Sequence, residues 1–171
     1  MEYDHALKVT RRRAPCTAHL GALFGVHMDM MNTFERFAAD FEAAVEDDDW
    51  SRLETYLAKD ATYVNSGGPD PTCQGRGAVL EYLKADVSSM DRRFDSRTLI
   101  ALTPPTVRDD RLSRRWRCTY TLAGTPDLVV EGEARYLFEH GLIKEIEEEL
   151  TADSMLKANE WMRAYGGKLR A

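Results

Sequence analysis

The chain has 171 residues, of which 43% are hydrophobic and 30% are charged, the composition of one ordinary globular domain. Its formal net charge of -6 excludes general binding to nucleic-acid phosphates and anchoring to an anionic membrane. Cys16, Cys73 and Cys118 are widely spaced and form no C-x-x-C pair, which indicates neither a zinc site nor a disulfide framework. Reduced thiols in the cytoplasm fit this pattern best.

Residues 1–31 differ from the rest of the sequence. They contain three of the four histidines and the basic run Arg11-Arg12-Arg13, and they show neither helical nor strand periodicity. We expect a flexible extension, or a leader that precedes the true start at a later methionine. This places the start of the folded domain, 32–150, at Asn32.

Three helices are predicted next. Asn32, with Glu35 three residues later, forms a capping box that opens the first helix. Asp47-Asp48-Asp49 ends this helix and caps a second one that begins at Trp50. A third helix is predicted from about Arg76 to Met90. The buried face of the first helix carries Phe34, Phe37, Phe41 and Val45 at helical spacing.

The strands follow a simple order. A short strand is predicted near residues 61–65, followed by a turn-rich loop over 66–71. From Phe94 onward, turn signals separate four strands, which predicts an antiparallel meander. These four strands lie near 94–103, 111–122, 128–139 and 142–150. A last helix begins after Leu150 with Thr151 as N-cap, within a C-terminal segment of residues 151–171.

Alternation along two of these strands predicts which side chains face the interior. One strand turns Leu112, Arg114, Trp116, Cys118, Tyr120 and Leu122 to one face, and the next turns Val130, Gly132, Ala134, Tyr136 and Phe138. Small residues at 132 and 134 are a weak hint of a cavity. The predicted pocket lining is Trp116, Cys118, Tyr120, Tyr136, Phe37 and Phe41, although an aromatic stripe is also typical of a plain core.

Glu148 is the main candidate for chemistry. On the last strand it shares a face with Leu142, Ile146 and Leu150, whereas the neighbouring glutamates share the opposite face. Burying a carboxylate on an apolar face is costly and raises its pKa. Glu148 is therefore a candidate general acid or base.

The order helix, helix, strand, helix and four-stranded meander resembles the nuclear-transport-factor-two-like cone fold. This group includes ketosteroid isomerases, SnoaL-like polyketide cyclases and limonene-epoxide hydrolases. The segments that carry the resemblance are residues 53–63, 74–79 and 141–150, within a region of roughly 32–155. The resemblance implies an α+β protein, with a cone-shaped, mostly antiparallel sheet wrapped around three N-terminal helices and an extra C-terminal helix.

The resemblance also implies roles for individual residues. Glu148 falls where cyclases and epoxide hydrolases of this type place an acid/base Asp. Tyr63 and Asn65 resemble the epoxide-hydrolase Tyr-x-Asn pair that positions the attacking water. That branch also uses an Arg-x-Asp on a middle strand, where this chain reads Arg114-Arg115-Trp116-Arg117-Cys118, with no Asp. Ketosteroid isomerases place a base Asp near Asn65, and an amide cannot take the proton.

Three functions stay open at this point. The first is a small-molecule enzyme, in which Glu148, Tyr63 and Asn65 act on an apolar substrate as a cyclase, isomerase, dehydratase or hydrolase. The second is a non-catalytic module that binds a small ligand, and the third is a dimeric interaction scaffold. No metal or organic cofactor is implied, and the fold leads us to expect a homodimer that binds neither nucleic acid nor membrane.

Overall fold

The structure is a computed structural model that describes residues 18–66 and 72–170, with side chains from Gly25 onward except those of Val26, Ser66 and Thr72. The predictions made for residues 1–17 and for most of the loop at 66–71 lie outside the described residues. Within the described part, no helix is long and apolar enough to cross a membrane.

The first helix, α1, spans Ala18–Asp47, so the predicted helix start at Asn32 is wrong. Asn32 and Glu35 are exposed and lie in the middle of this helix, so they do not cap its start. Met30 is only 3% exposed and packs in the core. The predicted domain boundary therefore falls inside a continuous helix.

The second predicted helix is a short 3-10 helix, Trp50–Thr55, and the Asp49 side chain caps it by accepting from the Ser51 backbone N–H. The third, α2, spans Arg76–Ser89, close to its prediction. The last, α3, spans Ala152–Tyr165. Its N-cap is Thr151, as predicted, because the hydroxyl of that residue accepts from the Ser154 N–H.

The strands form one curved, mixed sheet of seven strands, with β4 paired only to β5. The order is β2-β1-β7-β6-β5-β3, and every pair is antiparallel except β1 with β7. The strands are β1 (Leu57–Ser66), β2 (Thr72–Gln74), β3 (Ser96–Ala101), β4 (Thr106–Arg108), β5 (Arg111–Thr121), β6 (Leu128–Glu139) and β7 (Leu142–Leu150). The predicted α+β class and mostly antiparallel sheet are confirmed.

A β-bulge changes the face of one predicted residue. Phe138 pairs with Ile143 whereas Leu137 pairs with Glu145, so Lys144 is the extra residue. Ile143 is therefore fully buried, and Leu142, predicted to face inward, lies on the other face. From Glu145 onward the alternation resumes, which returns Glu148 to the inner face.

Two apolar clusters hold the structure together. The larger packs α1, the 3-10 helix and α2 against the inner face of the sheet, with Leu53, Val79 and Leu112 fully buried. The smaller packs α3 against the other end of the sheet around Trp161. Between the helices and the sheet, the larger cluster leaves the cavity described next.

Candidate active site

A cavity of about 270 Å³ lies between α1, α2 and the inner face of the sheet. Helix α1 provides one aromatic wall, α2 provides an apolar stripe, and the sheet provides most of the polar groups. Every predicted site residue borders this one cavity: Glu148, Tyr63, Asn65, Trp116, Cys118, Tyr120, Tyr136, Phe37 and Phe41. The residues selected from the sequence therefore line one cavity, and the contacts among them determine its chemistry.

Strand register places the polar residues of the sheet in one row. Asn65 pairs with Glu148, Glu148 pairs with Ala134, and Ala134 pairs with Arg114. Neighbouring strands are about 5 Å apart, so the backbones of Glu148 and Arg114 are about 10 Å apart. The row brings an amide, a carboxylate and a guanidinium to the same side of the sheet.

The Glu148 carboxylate is held by one specific contact. The Tyr63 hydroxyl donates a 2.8 Å hydrogen bond to Glu148 Oε2. Burial raises the pKa of Glu148 above its ordinary value, and the Tyr63 hydrogen bond and the charge of Arg114 offset only part of that rise. Burial and the nearby Glu148 charge also raise the pKa of Tyr63, so its hydroxyl stays protonated as a donor.

Asn65 reaches the site from the neighbouring strand and contacts helix α2. Its Nδ2 donates to the Tyr82 hydroxyl at 3.3 Å. The rings of Tyr63 and Tyr82 pack with their centroids 4.7 Å apart. Tyr82 therefore contacts both predicted catalytic residues of β1. Of these two, Tyr63 hydrogen-bonds the Glu148 carboxylate, whereas the described hydrogen bond of Asn65 goes to Tyr82.

A cluster of four polar residues also borders the cavity, and the sequence analysis identified only one of them, Tyr120. The Tyr120 hydroxyl donates to Asp91 Oδ1 at 2.7 Å, and Arg97 Nε lies 3.0 Å from Asp91 Oδ2. That distance makes an ion pair, although the N–H is not aligned for a hydrogen bond. Arg97 also donates to Glu42 at 2.6 Å. These groups come from four separate elements, so no local pattern could have revealed them.

Asp86 is a further missed carboxylate. It lies on α2 three residues after Leu83 and four before Met90, and all three border the cavity. It makes no side-chain hydrogen bond or ion pair within the described ranges. Asp86 is an exposed residue. Even so, the protein atoms around its carboxylate remove part of its hydration, and the negative charges of Asp91 and Glu148 lie nearby, so the pKa of Asp86 rises to about 6.

The small residues of β6 do not form the cavity. A Cβ atom added to Gly132 would lie 2.6 Å from the Glu149 carbonyl oxygen and 2.6 Å from Cζ2 of Trp116. The Trp116 indole therefore occupies the space above Gly132. Ala134 is fully buried. The prediction that these two small residues create the cavity is wrong, because neither borders it and the Trp116 side chain packs directly against Gly132.

Replacing Tyr63 by phenylalanine should raise the pKa of Glu148 further. The Tyr63 hydroxyl stabilises the ionised carboxylate, and its removal leaves the burial penalty less opposed. The measurement is a carboxyl-carbon NMR titration of protein labelled at glutamate, with Tyr165→Phe on α3 as the matched control. A Glu148 midpoint that stays the same or falls would show that the hydrogen bond does not stabilise the anion.

Replacing Asp86 by asparagine should stabilise the protein at neutral pH and not at acidic pH. The folded-state pKa is raised above the ordinary 3.8, so ionisation costs stability as the pH rises through about 6. Because the side chain is accessible, we expect less than about 1 kcal/mol. Thermal melting at both pH values measures the effect, with Glu81→Gln on the same helix as control. Equal shifts at both pH values would contradict this account.

Among the described residues, no three His, Cys, Asp or Glu side chains come together as a set that could hold a metal ion. The polar groups of the cavity are instead carboxylates, hydroxyls and guanidinium groups, of which Glu148 is paired with Tyr63, and Asp91 with Tyr120 and Arg97. This arrangement can accept, hold and return a proton, and it can orient a small molecule by hydrogen bonds.

Comparison with known families identifies the fold. The sequence model of the SnoaL-like domain family matches residues 34–146, and the chain belongs to this family. None of the curated proteins matches the chain. The nuclear-transport-factor-two-like cone fold expected from the sequence is therefore confirmed, together with its curved, mostly antiparallel sheet.

Several solved structures share this fold at low sequence identity. A nuclear-transport-factor-two-like protein of unknown function from Burkholderia pseudomallei is 15% identical, with a TM-score of 0.58 over 75% of this chain and 95% of that one. An epoxide hydrolase of the limonene-epoxide-hydrolase-like type from M. tuberculosis is 13% identical, with a TM-score of 0.57 over 81% and 94%. A candidate SnoaL-like polyketide cyclase from Jannaschia sp. CCS1 is 14% identical, with a TM-score of 0.59 over 87% and 96%.

Proposed function

We propose that this protein is a small-molecule enzyme in which Glu148 transfers a proton to or from a largely apolar substrate. One observation carries the proposal. Glu148 is an inward-facing carboxyl group with a raised pKa, held by the Tyr63 hydroxyl at the wall of the cavity. Carboxyl groups with these properties are typical of general acids and bases.

The contacts divide the two oxygens of Glu148 between two tasks. Oε2 accepts from Tyr63, whereas Oε1 has no hydrogen bond to any residue that the structure describes. Oε1 is therefore the atom that takes a proton, either from the substrate or from a water positioned by Tyr63 and Asn65. The same group can return the proton, which suits isomerisation, ring closure, dehydration or hydrolysis without a cofactor.

The size and walls of the cavity support a small apolar substrate. Its volume of about 270 Å³ is just below the usual range for ligand pockets, roughly 300–1,000 Å³. Leu83 and Val87 of α2, with Ile146 of β7, provide apolar walls. Burial of apolar substrate surface against these walls would supply most of the binding free energy.

A binding module is the second candidate function. Residues 114–118, where the resemblance to epoxide hydrolases calls for an Arg-x-Asp pair, contain no Asp, so this region lacks one carboxylate of that mechanism. A protein that binds a ligand without turnover needs no second acid. In that case Glu148 would accept a hydrogen bond from an amine or hydroxyl group of the ligand.

We also propose that the protein is a homodimer, as the resemblance to this fold implies, and that it works in the cytoplasm, where its widely spaced cysteines would stay reduced. The outer face of the sheet is largely charged and already paired within the chain. Arg117 pairs with Glu131 at 2.6 Å, and Arg135 pairs with Glu133, Glu147 and Glu149. Sedimentation equilibrium would decide between a monomer and a dimer.

The test of the proposed function is a screen for proton-transfer reactions. The purified protein is incubated with a cyclic epoxide, a β,γ-unsaturated ketone, a β-hydroxy ketone and a 1,5-diketone, and products are identified by mass spectrometry. We expect turnover of at least one class, and loss of that turnover in Glu148→Gln. Saturable binding of these compounds without turnover would favour the binding module.

A further inference from the structure

The Tyr136 hydroxyl is a polar group at the cavity to which the described part of the chain gives no partner. Tyr136 is 4% exposed and borders the cavity, and its ring packs against Phe34 and Phe37 at centroid distances of 5.0 and 6.0 Å. Its hydroxyl has no hydrogen bond to any described residue. By contrast, the hydroxyls of Tyr63 and Tyr120 donate to carboxylates. Tyrosine hydroxyls at buried positions ordinarily have a partner, so this hydroxyl is available to donate to a molecule bound in the cavity.

The guanidinium of Arg114 is a second unused donor nearby. It lies over the Phe34 ring, 5.4 Å from the centroid, and so shares this ring with Tyr136. Arg114 makes no ion pair or hydrogen bond within the part of the chain that is described, and its Nε is buried. The other inward arginine, Arg97, is paired with two carboxylates. An unpaired, partly buried guanidinium is costly, which again indicates an acceptor from a ligand.

These two donors border the same corner of the cavity as Glu148. Tyr136 follows Ala134 by two residues on β6 and therefore shares its face, while Arg114 and Glu148 pair with Ala134 from either side. The charges of Glu148 and Arg114 both act on the Tyr136 hydroxyl. A group bound by Tyr136 and Arg114 would therefore lie next to the Glu148 carboxylate.

The charge of the cavity selects the kind of acceptor. The carboxylates of Glu42, Asp86, Asp91 and Glu148 border it, and they outnumber the guanidinium groups of Arg97 and Arg114. A ligand with a fixed negative charge would be repelled by this surplus. A neutral oxygen accepts hydrogen bonds without that penalty.

We propose that Tyr136 and Arg114 form a subsite that binds a neutral carbonyl oxygen of the substrate, with the adjacent carbon facing Glu148. This inference rests on the proposed function and adds the chemical class of its substrate. Tyr136 donates its hydroxyl hydrogen, and Arg114 donates through its guanidinium. The pair selects for an oxygenated substrate over a hydrocarbon of the same shape.

The test compares two probes of equal shape, acetophenone and α-methylstyrene, which carry C=O and C=CH₂ at the same position. Water solvates the ketone better, so a purely apolar cavity would bind α-methylstyrene more tightly. We expect acetophenone to bind about tenfold more tightly, because it gains hydrogen bonds inside the cavity. Isothermal titration calorimetry measures both affinities, and the carbonyl-carbon NMR signal of labelled acetophenone should move downfield when it binds.

Two variants locate the effect. Tyr136→Phe and Arg114→Met should each weaken acetophenone binding about fivefold or more and reduce the carbonyl shift, with α-methylstyrene unaffected. Tyr136→Phe should keep the melting temperature, because the hydroxyl makes no hydrogen bond to the residues that the structure describes. The matched controls are Tyr165→Phe and Arg115→Met, whose side chains lie outside the cavity. If Arg114→Met does not fold, Arg114→Lys keeps the charge and should retain part of the binding.

Three results would overturn the inference: equal or tighter binding of α-methylstyrene, no binding of acetophenone, or an unchanged carbonyl signal in Tyr136→Phe. The assay needs no turnover, so its failure is distinct from that of the proposed function. Glu148→Gln with intact ketone binding but no turnover supports both proposals. Unchanged turnover with intact ketone binding overturns only the role of Glu148.

Discussion

Replacing Glu148 by glutamine should reduce turnover about a hundredfold or more, the usual contribution of a general acid or base. The amide keeps the shape and still accepts from Tyr63, but it cannot take a proton. The variant should also be more stable at neutral pH. The folded-state pKa of Glu148 is raised, so ionisation costs stability as the pH rises through that value, and glutamine removes this cost. Steady-state kinetics and thermal melting measure the two effects.

The control for this variant is the next residue. Glu149 lies on the opposite face of β7, is exposed, and pairs with Arg135 at 3.3 Å. Glu149→Gln should leave turnover within about threefold of the natural protein, since a surface ion pair contributes little. A Glu148→Gln variant as active as the Glu149→Gln control would remove Glu148 from the mechanism.

Replacing Gly132 by alanine should destabilise the protein by about 1–3 kcal/mol, the usual cost of inserting a methyl group into a packed core. The new Cβ would lie 2.6 Å from a backbone carbonyl oxygen of β7, which cannot move without disturbing the β6–β7 pairing. It would also displace the Trp116 indole. Urea unfolding measures the loss of free energy, and Trp116 fluorescence should report its altered position.

Gly77 provides the matched control for this prediction. It lies in α2, is exposed, and has no atom within 4 Å of an added Cβ. Gly77→Ala should keep or raise stability by up to about 1 kcal/mol, because alanine favours the helix. If Gly132→Ala were as stable as Gly77→Ala, the close approach of Trp116 to β6 would be wrong.

The strands of the cone were predictable because their alternation is local. The inner faces of β5 and β6 follow the predicted period of two, and the buried residues Leu112, Cys118, Tyr136 and Phe138 lie where they were expected. The start of α1 was not predictable in the same way. The segment before Asn32 lacks amphipathic periodicity, and Asn32 with Glu35 imitates a capping box on an exposed helix face.

The polar residues of the site were predicted only where a single strand carries the signal. Glu148 is visible in the sequence as a charge on an apolar strand face. Arg114 shows the same pattern on β5, although it was not predicted as a site residue. Asp86, Asp91 and Arg97 have no such local mark. These three residues come close together because the end of α2, the turn after it and β3 meet around one cavity. Only the tertiary structure specifies that meeting.

The central claim is that Glu148 is a carboxyl group tuned by burial inside a substrate cavity. The most direct measurement is a carboxyl-carbon NMR titration, with the Glu148 signal assigned by its absence in Glu148→Gln. The account predicts a midpoint above the ordinary 4.5 of a glutamic acid, which moves when acetophenone occupies the cavity. A midpoint at or below the ordinary value, unchanged by the ketone, would place Glu148 outside the site and contradict the account.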